Sequence, residues 1–159
     1  MVYKRQVFDV MRLCGWPAEQ VPQNVGGYKL DTETGSLPIF IKYEASQYGD
    51  RFLNPGEIEW FSKNNRSLKS NEFRWLLDGT ERTPEWQNRH FVPIFIRRKA
   101  EEQEKSYYFV GNAVALDDVR ASVNPGEDGS ESKVVISTLK LDKPVDPELY
   151  RHLTGKSAL

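Results

Sequence analysis

The chain has 159 residues, enough for one domain with its own core and too few for two ordinary ones. At 38% hydrophobic and 28% charged residues it is expected to fold rather than stay disordered. Its 22 Lys and Arg against 23 Asp and Glu exclude bulk positive charge as the mark of a nucleic-acid binder, so any basic footprint must be local. The single Cys14 excludes an internal disulfide and a multi-cysteine zinc site. No apolar run is long enough to span a bilayer and no signal-peptide pattern opens the chain, so a reducing cytoplasmic setting is the default expectation.

In chain order, Arg5 to Cys14 reads as a short amphipathic helix, with Val7, Val10, Met11 and Cys14 at helical spacing and Gly15 as the stop. From Tyr28 to Leu116 the pattern is mostly strand-like. Residues 37–43 are rich in β-branched and aromatic side chains, with Pro38 at a strand start or edge. Residues 57–62 alternate, with Ile58, Trp60 and Ser62 on one face and Phe61 on the other. Residues 92–97 and 106–110 resemble central strands, and Lys133 to Leu141 is a long, strong one. One helix interrupts the series, with Ser70 as N-cap, Phe73, Leu76 and Leu77 as its apolar stripe and Gly79 at its end; a second short helix is expected near Glu85 to Asn88. Asp146 and Pro147 open a closing helix that Gly155 ends. Residues 49–55, 98–105 and 124–132 read as polar loops. Short loops without a regular βαβ alternation predict a single α+β domain over residues 1–159, with a mainly antiparallel curved sheet or small open β-barrel and flanking short helices.

Several chemistries are missing. His90 and His152 are the only histidines and have no ligand spacing around them, so no metal and no cofactor is expected. A phosphate-loop ending at Gly155, Lys156 and Ser157 fails, because its first glycine falls on Tyr150 and no helix follows. The carboxylates at Asp50, Glu57, Glu59, Asp117 and Asp118 are not followed at short range by the Glu-x-Lys pattern of many metal-dependent nucleases. No elbow glycines surround a serine, and no phospholipase-type His-x-Lys occurs. The expectation is a protein that is not an enzyme on its own.

One segment concentrates positive charge. Lys63, Arg66 and Lys69 fall within seven residues, uninterrupted by an acid and interleaved with Asn64, Asn65, Ser67 and Ser70, and Arg74 follows one turn into the helix. Such a segment, running from a strand into a helix start, suits phosphate contacts without base preference; a solvated loop gives the same pattern. Of the aromatics, Trp60 shares a face with Ile58 and reads first as core. Phe61, beside the basic loop, is the better stacking candidate, and a base stacked on a ring contributes roughly 1–3 kcal/mol. Trp75 lies off the helix stripe, which fits a second packing surface or an exposed platform.

The residues 48–50 (Tyr-Gly-Asp), 52–62 and 66–70, with Leu13 to Trp16, Gly27 to Lys29, Pro38 to Phe40, Tyr107 to Gly111, Leu139 to Leu141 and Leu149-Tyr150, resemble a domain of unknown function. That family is found C-terminal to superfamily 2 helicases carrying a phospholipase-D-type nuclease. The resemblance covers nearly the whole chain, and its most specific part runs from Tyr48 to Ser62. It implies a target-recognition domain of modification-dependent restriction in phage defence, binding double-stranded DNA with 5-methylcytosine or 5-hydroxymethylcytosine. The helicase and nuclease would act in cis or in trans, the chain being an excised domain or a free-standing relative. An RNA-binding β-barrel module and a protein-docking domain of a nuclease complex are the alternatives.

On this implication the expected backbone contacts are Lys63, Asn64, Arg66, Lys69 and Arg74. A base extruded from the stack needs flat walls and an acceptor for its exocyclic amine. Tyr48, Trp60 and Phe61 are the expected walls, Asp50 the acceptor and Ser62 an edge contact. Asp50 also reads as a turn cap before Arg51.

Overall fold

A computed structural model describes residues 4–17, 19, 27–44, 49–77, 84–101, 106–125 and 129–156. Its elements are β1 (Lys4–Gln6), α1 (Val7–Leu13), β2 (Ile39–Tyr43), β3 (Arg51–Asn54), β4 (Glu57–Phe61), α2 (Asn71–Leu76), α3 (Pro84–Arg89), β5 (Pro93–Arg98), a 3-10 turn (Lys99–Glu101), β6 (Ser106–Pro125), β7 (Glu131–Leu141) and α4 (Pro147–Thr154). The sheet runs β2-β5-β6-β7-β4-β3, with β1 paired to β6 beside this path. It is an α+β fold in which a mixed, curled half-barrel sheet carries short helices, as the patterning predicts.

The curl originates in β6. This 20-residue strand pairs with β1 and β5 through its first third and with β7 through the rest. Its register against β7 shifts between Ala113 and Ala115 and again between Asp117 and Arg120, where Asp118 takes φ 48°. Each extra residue bends the strand and adds twist, so one strand serves both halves of the sheet. At Gly111 (φ 141°) a Cβ would lie 2.9 Å from Asp142 Oδ1, which accepts from the Asn112 N–H, so the bend needs glycine.

Strands β2 and β5 pair in parallel, a departure from the otherwise antiparallel pairing. Residues 39–41 of β2 and 93–96 of β5 are buried on both faces, which accounts for their apolar runs, while Lys42 is exposed. Ile39, Ile41, Ile94 and Ile96 join the main core with Ile58, Trp60, Phe73, Trp86, Val135, Leu139 and the inner face of α4. Phe40, Phe95 and Tyr107 face the other way and pack under Val10, Met11 and Cys14 of α1 and its cap. Each fully buried side chain of this size stabilises the fold by about 1.5–3 kcal/mol relative to exposure.

Three local expectations differ from the structure. The segment 51–54 is a strand, not a loop; only Phe52 of its four residues is buried, so its apolar content is too thin to read. Strand β6 continues fifteen residues beyond Val110 (from 110 to 125), with polar residues outward along its length. Ser70 caps α2 by position, but its Oγ accepts from the Ser67 N–H at 2.9 Å rather than from the helix. Asp146 does cap α4, accepting from the N–H groups of Glu148 and Leu149, and Gly155 ends it at φ 74°. Gly79 lies outside the described residues.

Candidate functional site

The basic segment begins where β4 ends. Ser62 Oγ accepts from the Val135 N–H at 2.8 Å and donates to the Lys63 carbonyl at 2.9 Å, latching the chain to β7. Asn65 adopts φ 63°, and the N–H groups of Asn65 and Arg66 both donate to the Lys133 carbonyl. Asparagine tolerates this left-handed conformation better than most residues. The loop is thus a fixed turn that aims Lys63 and Arg66 inward, towards Tyr28.

Tyr28 is the centre of a buried polar network. Its hydroxyl donates to Glu72 Oε2 at 2.7 Å and accepts from the Lys63 N–H at 3.1 Å. Arg66 Nε donates to the same Glu72 oxygen at 3.0 Å. Lys63 Nζ donates to the Tyr28 carbonyl at 2.8 Å and lies 4.5 Å from its ring centroid. Burial, then the Glu72 carboxylate, pushes the Tyr28 phenol up and keeps it a donor. Burial also pulls the Lys63 ammonium down, and the neighbouring Arg66 charge adds to that; Glu72 holds the Arg66 guanidinium up.

This network walls a cavity of about 380 Å³ that Lys29, Ser70 and Asn71 also line. Lys29, Lys63 and Arg66 face it against the single carboxylate of Glu72, so it has an excess of positive charge. Asn64 and Lys69 are exposed on the same turn, and Arg74 is exposed on α2. Asn64 Oδ1 accepts from Asn124 Nδ2 at 3.5 Å. Of the five expected phosphate contacts, Lys63 and Arg66 therefore line this cavity, Arg74 lines an adjoining one, and Asn64 and Lys69 lie on open surface.

Of the five residues expected at a base pocket, the four that are described do not converge. Trp60 is 2% exposed, with its ring edge-on to Tyr28 (centroids 5.3 Å) and tilted against Phe73 (5.8 Å). Ser62 is buried and committed to its latch. Both point into the core, as alternation along β4 requires, and Phe61 points to the opposite face. A wall of Trp60, Phe61 and Ser62 would need one strand to present adjacent residues on one side, so Trp60 and Ser62 are corrected from pocket residues to core. Asp50 is half-buried, and its Oδ1 accepts from the Phe61 N–H at 2.7 Å. Burial raises its carboxyl to about 6, and that hydrogen bond opposes the rise. Tyr48 lies outside the described residues.

Tyr28, Lys29 and Glu72 were not legible as site residues. Tyr28 and Glu72 are 44 positions apart, and no local pattern joins them. Glu72 sits in a helical first turn, where an acid is ordinary. His90 is structural: it stacks on Trp86, packs against Trp75, and its two ring nitrogens lie 2.7 Å from the Trp86 and Trp75 carbonyls. That also assigns Trp75 to a second packing surface. His152 pairs with Glu101 at 3.2 Å. Among the described residues no group of three or more His, Cys, Asp or Glu could hold a metal ion, and no helix is long and apolar enough to cross a membrane.

A curled α+β half-barrel with a cation-rich cavity at the end of β4 defines the class of module. The chain belongs to the family described as Domain of unknown function (DUF3427), whose model matches residues 1–153. Among solved structures, the fold is similar to part of the MspJI restriction endonuclease in complex with a 27-mer oligonucleotide, with a TM-score of 0.51 and 16% identity over 74% of this chain. The match covers 32% of the endonuclease, so the chain spans about a third of that protein. A second similar structure, the sulfur binding domain and SRA domain of ScoMcrA complexed with phosphorothioated DNA, has a TM-score of 0.44 and 12% identity, covering 93% of this chain and 50% of that one. No curated protein matches the chain.

Proposed function

We propose that the chain is a non-catalytic recognition domain. It binds double-stranded DNA through the 63–74 face and tests a modified cytosine, 5-methylcytosine or 5-hydroxymethylcytosine, drawn out of the stack. It serves helicase and nuclease domains joined in cis or in trans. The observation that carries the reading is the cavity where Lys29, Lys63 and Arg66 outnumber Glu72, with Asn64, Lys69 and Arg74 exposed around it. Phosphate oxygens are met by such a cluster of guanidinium and ammonium donors in charge-assisted hydrogen bonds. The likeness in fold to an endonuclease solved with an oligonucleotide supports the same direction.

Binding to matched duplexes carrying cytosine, 5-methylcytosine or 5-hydroxymethylcytosine, followed by fluorescence anisotropy, tests it. The reading expects duplex binding that strengthens with one modification. Equal affinity for all three removes the modified base from it, and no duplex affinity at low salt removes DNA altogether. Incubation of the duplexes with magnesium, manganese or zinc is expected to leave them intact; cleavage abolished by replacing one of the chain's carboxylates would make it an enzyme.

A protein-docking role has one observation in its favour. An apolar groove of about 280 Å³ lies between α1 and strands β5 and β6, with Leu13 73% exposed and Phe91 46% exposed at its rim. It is remote in sequence from the 63–74 face and suits a partner domain held alongside DNA binding. Loss of DNA affinity on Leu13→Ser and Phe91→Ser would tie the two surfaces together.

A further inference from the structure

The cationic cavity opens beside a second one. The second, about 790 Å³, is lined by Trp16, Asp31, Thr34 and Arg74, and Lys29, Leu30 and Asn71 line both. Their chemistry differs. In the first, three cations crowd one carboxylate whose Oε2 already accepts from Tyr28 and Arg66. Mutual repulsion among Lys29, Lys63 and Arg66 adds to burial in disfavouring the Lys63 ammonium, and an entering anion relieves it. The second is balanced, with Lys29 and Arg74 against Asp31 and Glu33, and it adds an indole and threonine hydroxyls.

The second cavity is held by a tight turn. Asp31 and Ser36 exchange backbone hydrogen bonds at 2.9 and 3.0 Å, and Asp31 Oδ1 accepts from the Glu33 N–H at 3.0 Å. A carboxylate has a second oxygen, so the turn does not exhaust Asp31 as an acceptor. Gly15, at φ 98°, brings the end of α1 against this turn, where a Cβ would lie 3.0 Å from Thr34 Cγ2. Lys29 Nζ lies 5.8 Å from the Trp16 ring centroid, so the cation common to both cavities stands next to the indole.

We propose that the joined cavities are a site for one deoxynucleotide, with its phosphate against Lys29, Lys63 and Arg66 and its base at the Trp16–Asp31 end. The Asp31 carboxylate accepts from an exocyclic amine, which cytosine carries and thymine replaces with a carbonyl. The site therefore prefers cytosine to thymine. This inference rests on the DNA-recognition reading only for the source of the nucleotide: one extruded from a duplex and one free in solution present the same chemistry.

The test is a titration of the full chain with dCMP, dTMP, deoxyribose 5-phosphate and inorganic phosphate, following the tryptophan indole resonances by NMR. Binding of dCMP is expected to move the Trp16 resonance and to be about ten-fold tighter than that of dTMP. Asp31→Asn keeps an oxygen for the turn but offers an amide donor elsewhere, so it should level or invert that preference. Asn71→Trp, at an exposed position on the shared wall, should abolish dCMP binding while the melting temperature stays that of a folded protein. If dCMP binds no better than inorganic phosphate and Trp16 does not move, the site is overturned. It is also overturned if Asn71→Trp binds dCMP as tightly as the wild type, an outcome that leaves the DNA-recognition reading standing where the wild type binds duplex DNA. Nucleotide binding without duplex binding does the reverse, keeping the site and removing the duplex as its source.

Discussion

Two charged clusters on this sheet have the same number of cations and opposite character. On the inner side, Lys29, Lys63 and Arg66 face a single carboxylate, Glu72, across a cavity. On the outer side of β3, β4, β6 and β7, Arg51, Arg120 and Lys140 meet four: Glu59 pairs with Arg51 and Arg120, Asp118 with Arg120, and Glu57 and Asp117 with Lys140. The outer cations are answered several times over at exposed positions, where such pairs contribute little. Of the inner ones, Arg66 donates to the one buried carboxylate and Lys63 to the Tyr28 carbonyl, so the three stay under-compensated. A count of basic residues does not distinguish the two clusters; the ratio of cations to carboxylates, and the burial of the acceptor, does.

The largest expected difference is in stability. Glu72→Ala leaves the Tyr28 hydroxyl and the Arg66 guanidinium without their common acceptor and should cost about 2–3 kcal/mol in urea unfolding. Equal costs for Glu72→Ala and the outer Glu59→Ala would abolish the distinction between the clusters.

The next is a pH effect at Asp50, which joins neither cluster. Its folded carboxyl, raised to about 6 by burial, holds a proton more tightly than the unfolded one. Its contribution is therefore fully present below the ordinary carboxyl range and is lost as pH rises through about 6. Asp50→Asn can still accept from the Phe61 N–H without carrying charge. It should remove this slope and stabilise the protein by on the order of 1–2 kcal/mol in alkaline solution. A stability profile flat from about pH 4 to 8 in the wild type would contradict the burial of that carboxylate.

The smallest is at the outer cluster: Glu59→Ala should change stability by about 0.2–1 kcal/mol, and less in high salt.

Much of the fold was legible because its signals are local. The helix stripe of Phe73 and Leu76, the cap at Asp146 and the apolar runs of β2 and β5 each announce an element within a few residues. The parallel pairing of β2 with β5 has no such signal, because two buried strands read alike whichever way they run. The bulged length of β6 was hidden for a related reason: beyond Val110 its polar positions look like loop. At the site, the basic run of Lys63, Arg66 and Lys69 stands out in sequence, but its partners Tyr28 and Glu72 are brought together only by tertiary structure. The expected base pocket conflicted with the period of a strand. Trp60 and Ser62 were already assigned to one face of the strand and Phe61 to the other, so the three could not share one wall.

The claim that the 63–74 face, around the inner cluster, is the DNA face is tested most directly by the salt dependence of duplex binding. Two triple variants are compared with the wild type: Lys63→Gln with Lys69→Ala and Arg74→Ala, and Arg51→Ala with Arg120→Ala and Lys140→Ala. The slope of log affinity against log salt should fall by about one unit for each phosphate that the first variant no longer neutralises, and stay unchanged in the second. An unchanged slope in the first variant, or an equal fall in both, would contradict the account.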